Sequence, residues 1–152
     1  MAALDIVIGP DNPILRAKTK PVPKVTKEIL KLLKDMEETT IKADGLGLAA
    51  PQVSRTERVC IVKMAGKLTP LINPEITKRS KEMESAEEGC LSLPYVWLQV
   101  PRSVSIVVKY LDKKGKEQER ILQKLDARVV QHEVDHLEGK LIVDYGQHQK
   151  AM

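Results

Sequence analysis

Two of the three histidines in this 152-residue chain, His132 and His136, stand four positions apart in the segment VVQHEVDHLEGKL. On an α-helix four residues turn through about 400°, so both imidazoles project from one face and can share a metal ion. Glu133 lies about 100° further round, where its carboxylate can exchange protons with a water molecule without being a ligand. The pattern H-E-x-x-H therefore predicts a hydrolytic metal site on a helix.

A catalytic metal commonly has three protein ligands and one open position, so a third ligand is needed. Downstream of the histidines, Glu138 is rotated away on the same helix, Asp144 is a further candidate, and His148 lies in a polar tail. Upstream, Cys90 in EEGCLSLP offers a thiolate, which is a strong ligand for zinc or ferrous iron. From its position alone Cys90 is more simply a small buried apolar residue, so the third ligand stays open at this point.

Composition narrows the class of protein. The chain has 25 basic and 21 acidic side chains, no phenylalanine and 3% aromatic residues. Acidic residues are interspersed among the lysines, which favours solvated faces over a nucleic-acid surface, and the core must be aliphatic. No apolar run approaches the roughly 18 residues of a membrane span. We expect a cytoplasmic monomer that binds neither DNA nor a membrane, and the charge of +4 leaves room for weak association with the ribosome.

Two helices must position these residues. Apolar residues at helical spacing predict an amphipathic helix over residues 27–43, with Thr26 as its N-cap and Gly45 just beyond its end. The apolar stripe consists of Ile29, Leu32, Leu33, Met36 and Ile41. The metal-binding helix is predicted from Asp126, as its N-cap, to Leu137, with Gly139 as the C-cap. Val134 and Leu137 then face an aliphatic core while the histidines face a cleft.

The rest of the chain favours short strands. RVCIVKM, LINPEITKRSKEME broken at Pro74, SVSIVVKYLD, EQERILQKL and LIVDY predict strands, with Gly115 in a turn. The start through Pro23 predicts a loop with one helical turn in NPILR, and GLGLAAPQ a second loop. The expected fold is α+β: antiparallel β-sheets packed around a C-terminal metal-binding helix, with an N-terminal amphipathic helix. We expect one domain over residues 1–152, with a flexible tail from about residue 146.

Three segments resemble the motifs of peptide deformylases, in the same order and at suitable separations. They are GLGLAAPQ at 45–52, EGCLSLP at 88–94 and QHEVDHLEG at 131–139. NPILR and VPR also match that family, so the resemblance covers nearly all of the chain. It implies an enzyme that removes the N-formyl group from the initiator methionine of newly made polypeptides and releases formate.

The resemblance also implies a ligand set. Cys90, His132 and His136 would hold one Fe²⁺ per chain, with Zn²⁺, Ni²⁺ or Co²⁺ able to substitute. This reverses the preference for Cys90 as a core residue. Cys60, in an apolar strand without such a motif, is still predicted to be a core residue. The substrates implied are N-formyl-methionyl nascent polypeptides.

Catalytic roles follow from the same resemblance. Glu133 would be the acid and base, while the Gln52 amide and the Leu91 backbone N–H would stabilise the oxyanion. Glycines would let the substrate backbone approach, and apolar residues would line a methionine pocket or, equally well, fill the core. These substrate-binding candidates are Gly45, Leu46, Gly47, Gly89, Leu125 and Val129. Glu88 and Arg102 are predicted to pair and hold the Cys90 loop, a surface pair being the alternative.

Two other functions remain open. A general metallopeptidase would use the histidines with a different third ligand, and a binding module would use them in a structural site with a fourth ligand. The sequence also departs from many bacterial deformylases, because DYGQHQKAM follows shortly after LIVDY in place of a long basic helix. That departure puts ribosome docking by the usual element in doubt. For Arg128 we expect a solvent-facing or structural role.

Overall fold

The computed structural model describes residues 3–150, and it describes side chains as far as residue 146. The described part of the chain contains seven β-strands and four α-helices. The helices are α1 (Pro13–Arg16), α2 (Lys27–Lys42), α3 (Lys124–Leu137) and α4 (Val143–Lys150). The strands are β1 (Gly47–Ala49), β2 (Val59–Met64), β3 (Lys67–Arg79), β4 (Met83–Cys90), β5 (Leu93–Ser103), β6 (Ser105–Leu111) and β7 (Glu117–Gln123). The predicted α+β class with antiparallel sheets is confirmed.

Both sheets are antiparallel. A five-stranded sheet has the order β1-β2-β3-β6-β7, and β4 pairs only with β5 in a separate hairpin. The five-stranded sheet lies between α2 and α3, and successive residues of β2 show this. Cys60 and Val62 pack in the same cluster as Val134 of α3, whereas Ile61 packs in the cluster of Leu33 from α2. A strand buried on both faces explains the continuous apolar run in RVCIVKM.

Helix α2 begins after Thr26, whose hydroxyl accepts a hydrogen bond from the backbone N–H of Ile29 at 3.3 Å. The stripe predicted for it includes one wrong residue, because Ile41 is 63% exposed. Residue 41 lies about 140° round the helix from Met36, so it points away from the sheet. The other four stripe residues are buried.

Helix α3 begins three residues earlier than predicted. Lys124 is its first residue and Gln123 occupies the N-cap position, so Asp126 is not the N-cap. The carboxylate of Asp126 instead accepts a hydrogen bond from the backbone N–H of Ala65 at 3.0 Å. At the other end Glu138 is the C-cap, followed by Gly139 at a φ of 78°, a conformation that glycine adopts without strain. Val134 and Leu137 are buried in the core, as predicted.

Three other segments differ from their predictions. Strand β3 continues through Pro74 with a change of register between Ile72 and Glu75, rather than ending there. GLGLAAPQ is not a simple loop, because it contains β1 and a 3-10 helix at Ala50–Val53. EGCLSLP contains the end of β4, the hairpin turn and the start of β5.

Helix α4 (Val143–Lys150) lies where LIVDY predicted a strand. Asp144 accepts a hydrogen bond from the backbone N–H of Leu141 at 3.1 Å, which stabilises the first turn of α4. The backbone of the predicted tail continues this helix to Lys150. The side chain of His148 and all of residues 1, 2, 151 and 152 lie outside the described part of the chain. None of the helices described is both long and apolar enough to cross a membrane.

Candidate metal centre

The three predicted metal ligands meet between the hairpin and α3. Cys90 is the last residue of β4, and the two histidines are on one face of α3. Ligand atoms of Cys90, His132 and His136 all lie within 4.8 Å of one another, and Cys90 Sγ is 3.3 Å from His136 Nε2. A thiol and two imidazoles within this distance fit a divalent ion such as Zn²⁺ or Fe²⁺.

Other features of the site also fit a bound cation. Burial lowers the pKa of His136 well below its usual range, helped by the charge of His132, so His136 is neutral, as a ligand must be. Nδ1 of His136 and Oε1 of Glu133 are buried without hydrogen-bond partners among the described residues. Buried polar atoms are normally paired, so Glu133 Oε1 is available to a ligand, whereas His136 faces Cys90 through Nε2 rather than Nδ1.

The orientation of His132 is set by Glu88. Nδ1 of His132 is 2.9 Å from Glu88 Oε1, and an ionised carboxylate can only accept, so Nδ1 carries the hydrogen. The lone pair on Nε2 is then free for a metal. Burial by itself lowers the pKa of His132, but the charge of Glu133 and hydrogen bonds to Cys90 and Glu88 raise it to about 10. The surroundings therefore favour positive charge at this imidazole.

Glu88 and Arg102 pair as predicted, and the pair is buried rather than exposed. Arg102 donates from Nε and Nη2 to the two oxygens of Glu88, each at 3.0 Å. Burial raises the pKa of Glu88, but the hydrogen bonds of His132 and Arg102, with the charge of Arg102, outweigh it and bring the pKa to about 2. Glu88 is therefore an anion that accepts hydrogen bonds at neutral pH.

Arg128 is largely buried and connects α3 to the hairpin. Its guanidinium donates to Glu88, to the Val100 carbonyl at 2.8 Å and to the Glu84 carbonyl at 2.6 Å. Of the two roles expected for Arg128, the structural one therefore applies. Its position just before the histidines was visible in the sequence, but its acceptors, 28 to 44 residues away, were not.

Glu133 lies at the floor of a cleft beside these ligands. Burial raises the pKa of its carboxyl to about 7, although the charge of His132 lowers it. A carboxylate with a pKa near neutrality suits proton transfer in both directions. A Cβ on Gly47 would lie 2.6 Å from Glu133 Oε2, so only glycine leaves room for this carboxylate.

The side-chain amide of Gln52 lies beside Cys90 and Ser92. Its Oε1 accepts the backbone N–H of Ala49 at 2.9 Å, which fixes which end of the amide faces the cleft. Its Nε2 donates to Ser92 Oγ at 3.1 Å and lies 3.8 Å from Cys90 Sγ. Leu91 is in the hairpin turn immediately after Cys90 and also lines the cleft.

The cleft has a volume of about 470 Å³, and all six predicted substrate-binding residues line it. Leu46 and Leu125 are 45% and 57% exposed, so they are not core residues, whereas Val129 is buried. Sequence reasoning missed other lining residues, which are Glu87, Pro94, Tyr95, Trp97 and Arg128. For Trp97 one signal was present, because the only tryptophan of the chain follows EGCLSLP by three residues.

The other acidic candidates for the third metal ligand form ion pairs instead. Glu138 pairs with Arg58 and, at 3.4 Å, with Lys18, while Asp144 pairs with Arg16 at 2.8 Å. Cys60 is fully buried in β2. Within the described part of the chain, no other group of three or more His, Cys, Asp or Glu residues could hold an ion.

Comparison with known proteins gives one consistent family. The model of the family described as polypeptide deformylase matches residues 3–152. A peptide deformylase of Nitrosococcus oceani is 49% identical over 148 residues, which cover 95% of this chain and 87% of that protein.

Solved structures agree with this similarity. The crystal structure of peptide deformylase from Thermotoga maritima superposes with a TM-score of 0.91 at 42% identity, over 94% of this chain and 97% of that one. A class I type b peptide deformylase from Acinetobacter baumannii, solved with Met-Ala-Ser bound, superposes with a TM-score of 0.89 at 37% identity, over 93% and 98%.

Proposed function

The chain belongs to the peptide deformylase family of metal-dependent hydrolases, and we propose that it removes the N-formyl group from the initiator methionine of newly made polypeptides, releasing formate. The observation that carries this proposal is the meeting of Cys90, His132 and His136 with the unpartnered carboxylate of Glu133 in one cleft. The Acinetobacter relative with bound Met-Ala-Ser supports a cleft that accepts a peptide beginning with methionine.

One ion per chain would be held by Cys90, His132 and His136, with Fe²⁺ as the native metal and Zn²⁺, Ni²⁺ or Co²⁺ as substitutes. When bound, the ion supplies Lewis-acid chemistry that activates water and polarises the formyl carbonyl. The thiolate suits a soft ion, and Glu88 keeps the His132 lone pair turned toward it.

Glu133 moves the proton in this scheme. Its carboxylate accepts a proton from the water that attacks the formyl carbon, and the oxygen of that water forms a new bond to this carbon. As the bond between the formyl carbon and the peptide nitrogen breaks, Glu133 delivers the same proton to the leaving nitrogen. The other proton of the water stays on formic acid, which ionises to formate on release, and the second product is a peptide with a free amino terminus. A pKa near 7 suits both transfers by Glu133.

Negative charge develops on the formyl oxygen during the attack. The Gln52 side-chain amide and the Leu91 backbone N–H are the proposed donors to this oxygen. A donor placed in advance for such charge contributes about 3 kcal/mol to the transition state. The hydrogen bond from Ala49 to Gln52 Oε1 keeps the NH₂ end of the amide on the side of Cys90.

The substrate would lie along the glycines and the apolar rim of the cleft. Gly45, Gly47 and Gly89 would allow the peptide backbone to approach closely, while Leu46, Leu125 and Val129 would contact the methionine side chain. Residues 1–152 would act as a single catalytic domain and a monomer. We place its action in the cytoplasm, on nascent chains, with at most weak association with the ribosome.

Formate release from a formyl-Met peptide by metal-loaded protein tests this function. Glu133→Gln is expected to lower the rate about 10²–10⁴-fold while the bound metal stays at the wild-type level. Glu138→Gln, at the end of the same helix but outside the cleft, is the matched control and keeps the wild-type rate. A loaded wild-type protein that released no formate would refute the proposal.

Cys90→Ala separates this function from its rivals. A peptidase with another third ligand would keep its metal in this variant, whereas the proposed centre loses it. A structural site would be insensitive to Glu133→Gln. Retention of full metal content by Cys90→Ala, measured by elemental analysis after gel filtration, would contradict the ligand set.

A further inference from the structure

Tyr145 is a residue of the last helix that contacts the surroundings of the metal centre. Its hydroxyl donates a hydrogen bond to Asp135 Oδ2 at 2.7 Å, and Asp135 directly precedes His136 on α3. The guanidinium carbon of Arg102 lies 5.0 Å from the centre of the Tyr145 ring, within range of a cation–π interaction. Neither contact was visible in the sequence, which predicted a strand here.

From Asp135 the contacts continue to a metal ligand. Arg102 Nη1 donates to Asp135 Oδ2, and the other edge of the same guanidinium donates to both oxygens of Glu88. Glu88 Oε1 then accepts from His132 Nδ1. We call this series of hydrogen bonds, from Tyr145 through Asp135, Arg102 and Glu88 to His132, the Tyr145 relay.

We propose that Tyr145 is a positioning residue that fixes the orientation of the His132 imidazole through the Tyr145 relay. The inference rests on the proposed function, since it concerns the same metal centre. It goes beyond that function by giving α4, which supplies none of the proposed ligands, a defined effect on how tightly the ion is held.

The physical reason lies in the geometry of Arg102. A guanidinium is planar, and acceptors on two of its edges fix its rotation, here Glu88 on one edge and Asp135 on the other. The hydroxyl of Tyr145 is the second donor to Asp135 Oδ2 and helps to hold that carboxylate in place. Without it, Asp135 keeps only Arg102 as a donor to Oδ2, and Arg102 Nη1 loses its second acceptor, the Tyr145 oxygen at 3.4 Å. The Asp135 edge then holds the guanidinium less firmly, and the Glu88 carboxylate can turn with it. Partners of this kind determine which nitrogen of a ligating histidine carries its hydrogen and where its ring points.

Tyr145 is itself held on both sides in sequence. Asp144 pairs with Arg16, and Gly146 lies so close to Leu98 of β5 that an added Cβ would come within 2.5 Å of Leu98 Cδ1. Burial and the hydrogen bond to Asp135 raise the pKa of Tyr145 to about 12, so its hydroxyl remains a donor at neutral pH.

Tyr145→Phe tests the inference, because it removes only the hydroxyl and keeps the ring against Arg102. Co²⁺ alone is the probe, titrated against a competing chelator. We expect up to about tenfold weaker binding, the lower limit of the loss found when a direct partner of a ligating histidine is removed, and a shifted cobalt absorption spectrum. The thermal unfolding midpoint of the metal-free variant should stay close to that of the wild type. Tyr110→Phe, the same change at a buried tyrosine of β6 outside the relay, should bind Co²⁺ as the wild type does.

Unchanged affinity and an unchanged spectrum in Tyr145→Phe would overturn the inference. So would a lower unfolding midpoint with unchanged affinity, because Tyr145 would then only dock α4. If the wild-type protein bound no Co²⁺, the proposed metal centre itself would fail. Loss of affinity in Tyr145→Phe alone, with the wild type and Tyr110→Phe binding tightly, supports both.

A double-variant cycle tests the route. If Tyr145 acts through Glu88, Tyr145→Phe should have little further effect on Co²⁺ affinity in a Glu88→Gln background, because coupled residues are not additive. Independent, additive losses would show that the hydroxyl does not act through this route and would overturn the relay.

Discussion

At the scale of single residues, Glu88 joins the parts of the site. It accepts hydrogen bonds from Arg102, Arg128 and His132, which lie 14, 40 and 44 residues further along the chain. The sequence predicted the first of these partners from its charge, but not the other two. Residue type shows that the Glu88 carboxylate can accept hydrogen bonds. Which donors reach it depends on how α3 packs against the hairpin.

Gly47 gives the sharpest prediction at this scale. In Gly47→Ala the new methyl group would lie 2.6 Å from Glu133 Oε2 and 3.0 Å from the Ile61 carbonyl, so the Glu133 carboxylate must move. A displacement of about 1 Å can cost roughly a hundredfold in rate, and we expect a loss of that size with the metal retained. Formate release and metal content check this.

Gly66→Ala is the control for that variant. Gly66 lies in the turn between β2 and β3 at a φ of 79° with nothing within 4 Å of an added Cβ. It should lose stability through backbone strain but keep its rate. If Gly47→Ala kept the wild-type rate, Glu133 would not need its present position.

The stability of the metal-free protein should depend on pH through His132. The metal-free protein holds His132 with a pKa of about 10, above its ordinary 6.5. A raised pKa means that protonation favours the folded state, so this stabilisation is complete below pH 6.5 and is lost as pH rises toward 10. A metal ion takes the place of that proton, and the loaded protein should not show this decline.

Urea unfolding of the metal-free protein across pH 6 to 10 measures the effect, where pH 6 and 10 are about the limits of the titration. His132→Asn removes the titrating group, so the difference between wild type and variant isolates its contribution. Equal declines in the two metal-free proteins would show that His132 is not the cause.

At the scale of elements, the helices were easier to predict than the hairpin. Apolar spacing identified α2, which buries one stripe against the sheet, and the spacing of the histidines with the glycine after the helix identified α3. Strand β4, MESAEEGC, has little β propensity and only one buried residue, Glu88. Its partner β5 supplies the pairing, and the charges of Arg102 and Arg128 stabilise the buried carboxylate.

The end of α3 gives a prediction at this scale. An added Cβ at Gly139 would lie 2.5 Å from the Arg16 carbonyl, in addition to the strain of a φ of 78°. Gly139→Ala should therefore push the segment after α1 away from α3 and lower the free energy of unfolding. Strain alone costs about 1–2 kcal/mol, and the close contact adds to it.

Gly115→Ala is the matched variant, with a φ of 79° and no atom closer than 3.9 Å to the new Cβ. Its free energy of unfolding should fall only by the cost of the backbone strain. Equal losses in the two variants, measured by urea unfolding, would mean that the contact with Arg16 relaxes without cost.

At the scale of the whole molecule, the proposed metal ligands come from two parts of the fold. Cys90 belongs to the two-stranded hairpin, and both histidines belong to the helix that covers the five-stranded sheet. An ion bound by all three therefore ties the hairpin to the rest of the protein. This arrangement couples metal binding to global stability.

Metal binding should raise the free energy of unfolding by about 4 kcal/mol when free ion is a thousandfold above its dissociation constant. Chemical denaturation of the protein with Zn²⁺ and after chelation measures this. In Cys90→Ala the increase should largely disappear, whereas Cys60→Ala, in the core of β2, should lower the baseline and keep the increase. If Zn²⁺ raised the free energy of unfolding equally in both variants, Cys90 would not be the residue through which the ion joins the hairpin to the rest of the protein.

Residue types and their local spacing were enough to indicate the family of this protein and its main helices. Helical geometry places His132 and His136 on one face and Glu133 beside them, all within five residues. The three motifs indicate the family. These features are local or are carried by residue type, so they can be seen without a fold.

How these residues are held depends instead on the packing of separate elements of the fold. The contacts of Glu88, the room that Gly47 leaves for Glu133 and the path from Tyr145 to His132 all join elements far apart in the chain. Their partners depend on how the hairpin, α3 and α4 pack on one another. That packing is a sum of many small burial and hydrogen-bond terms along the whole chain, which no short pattern in the sequence contains.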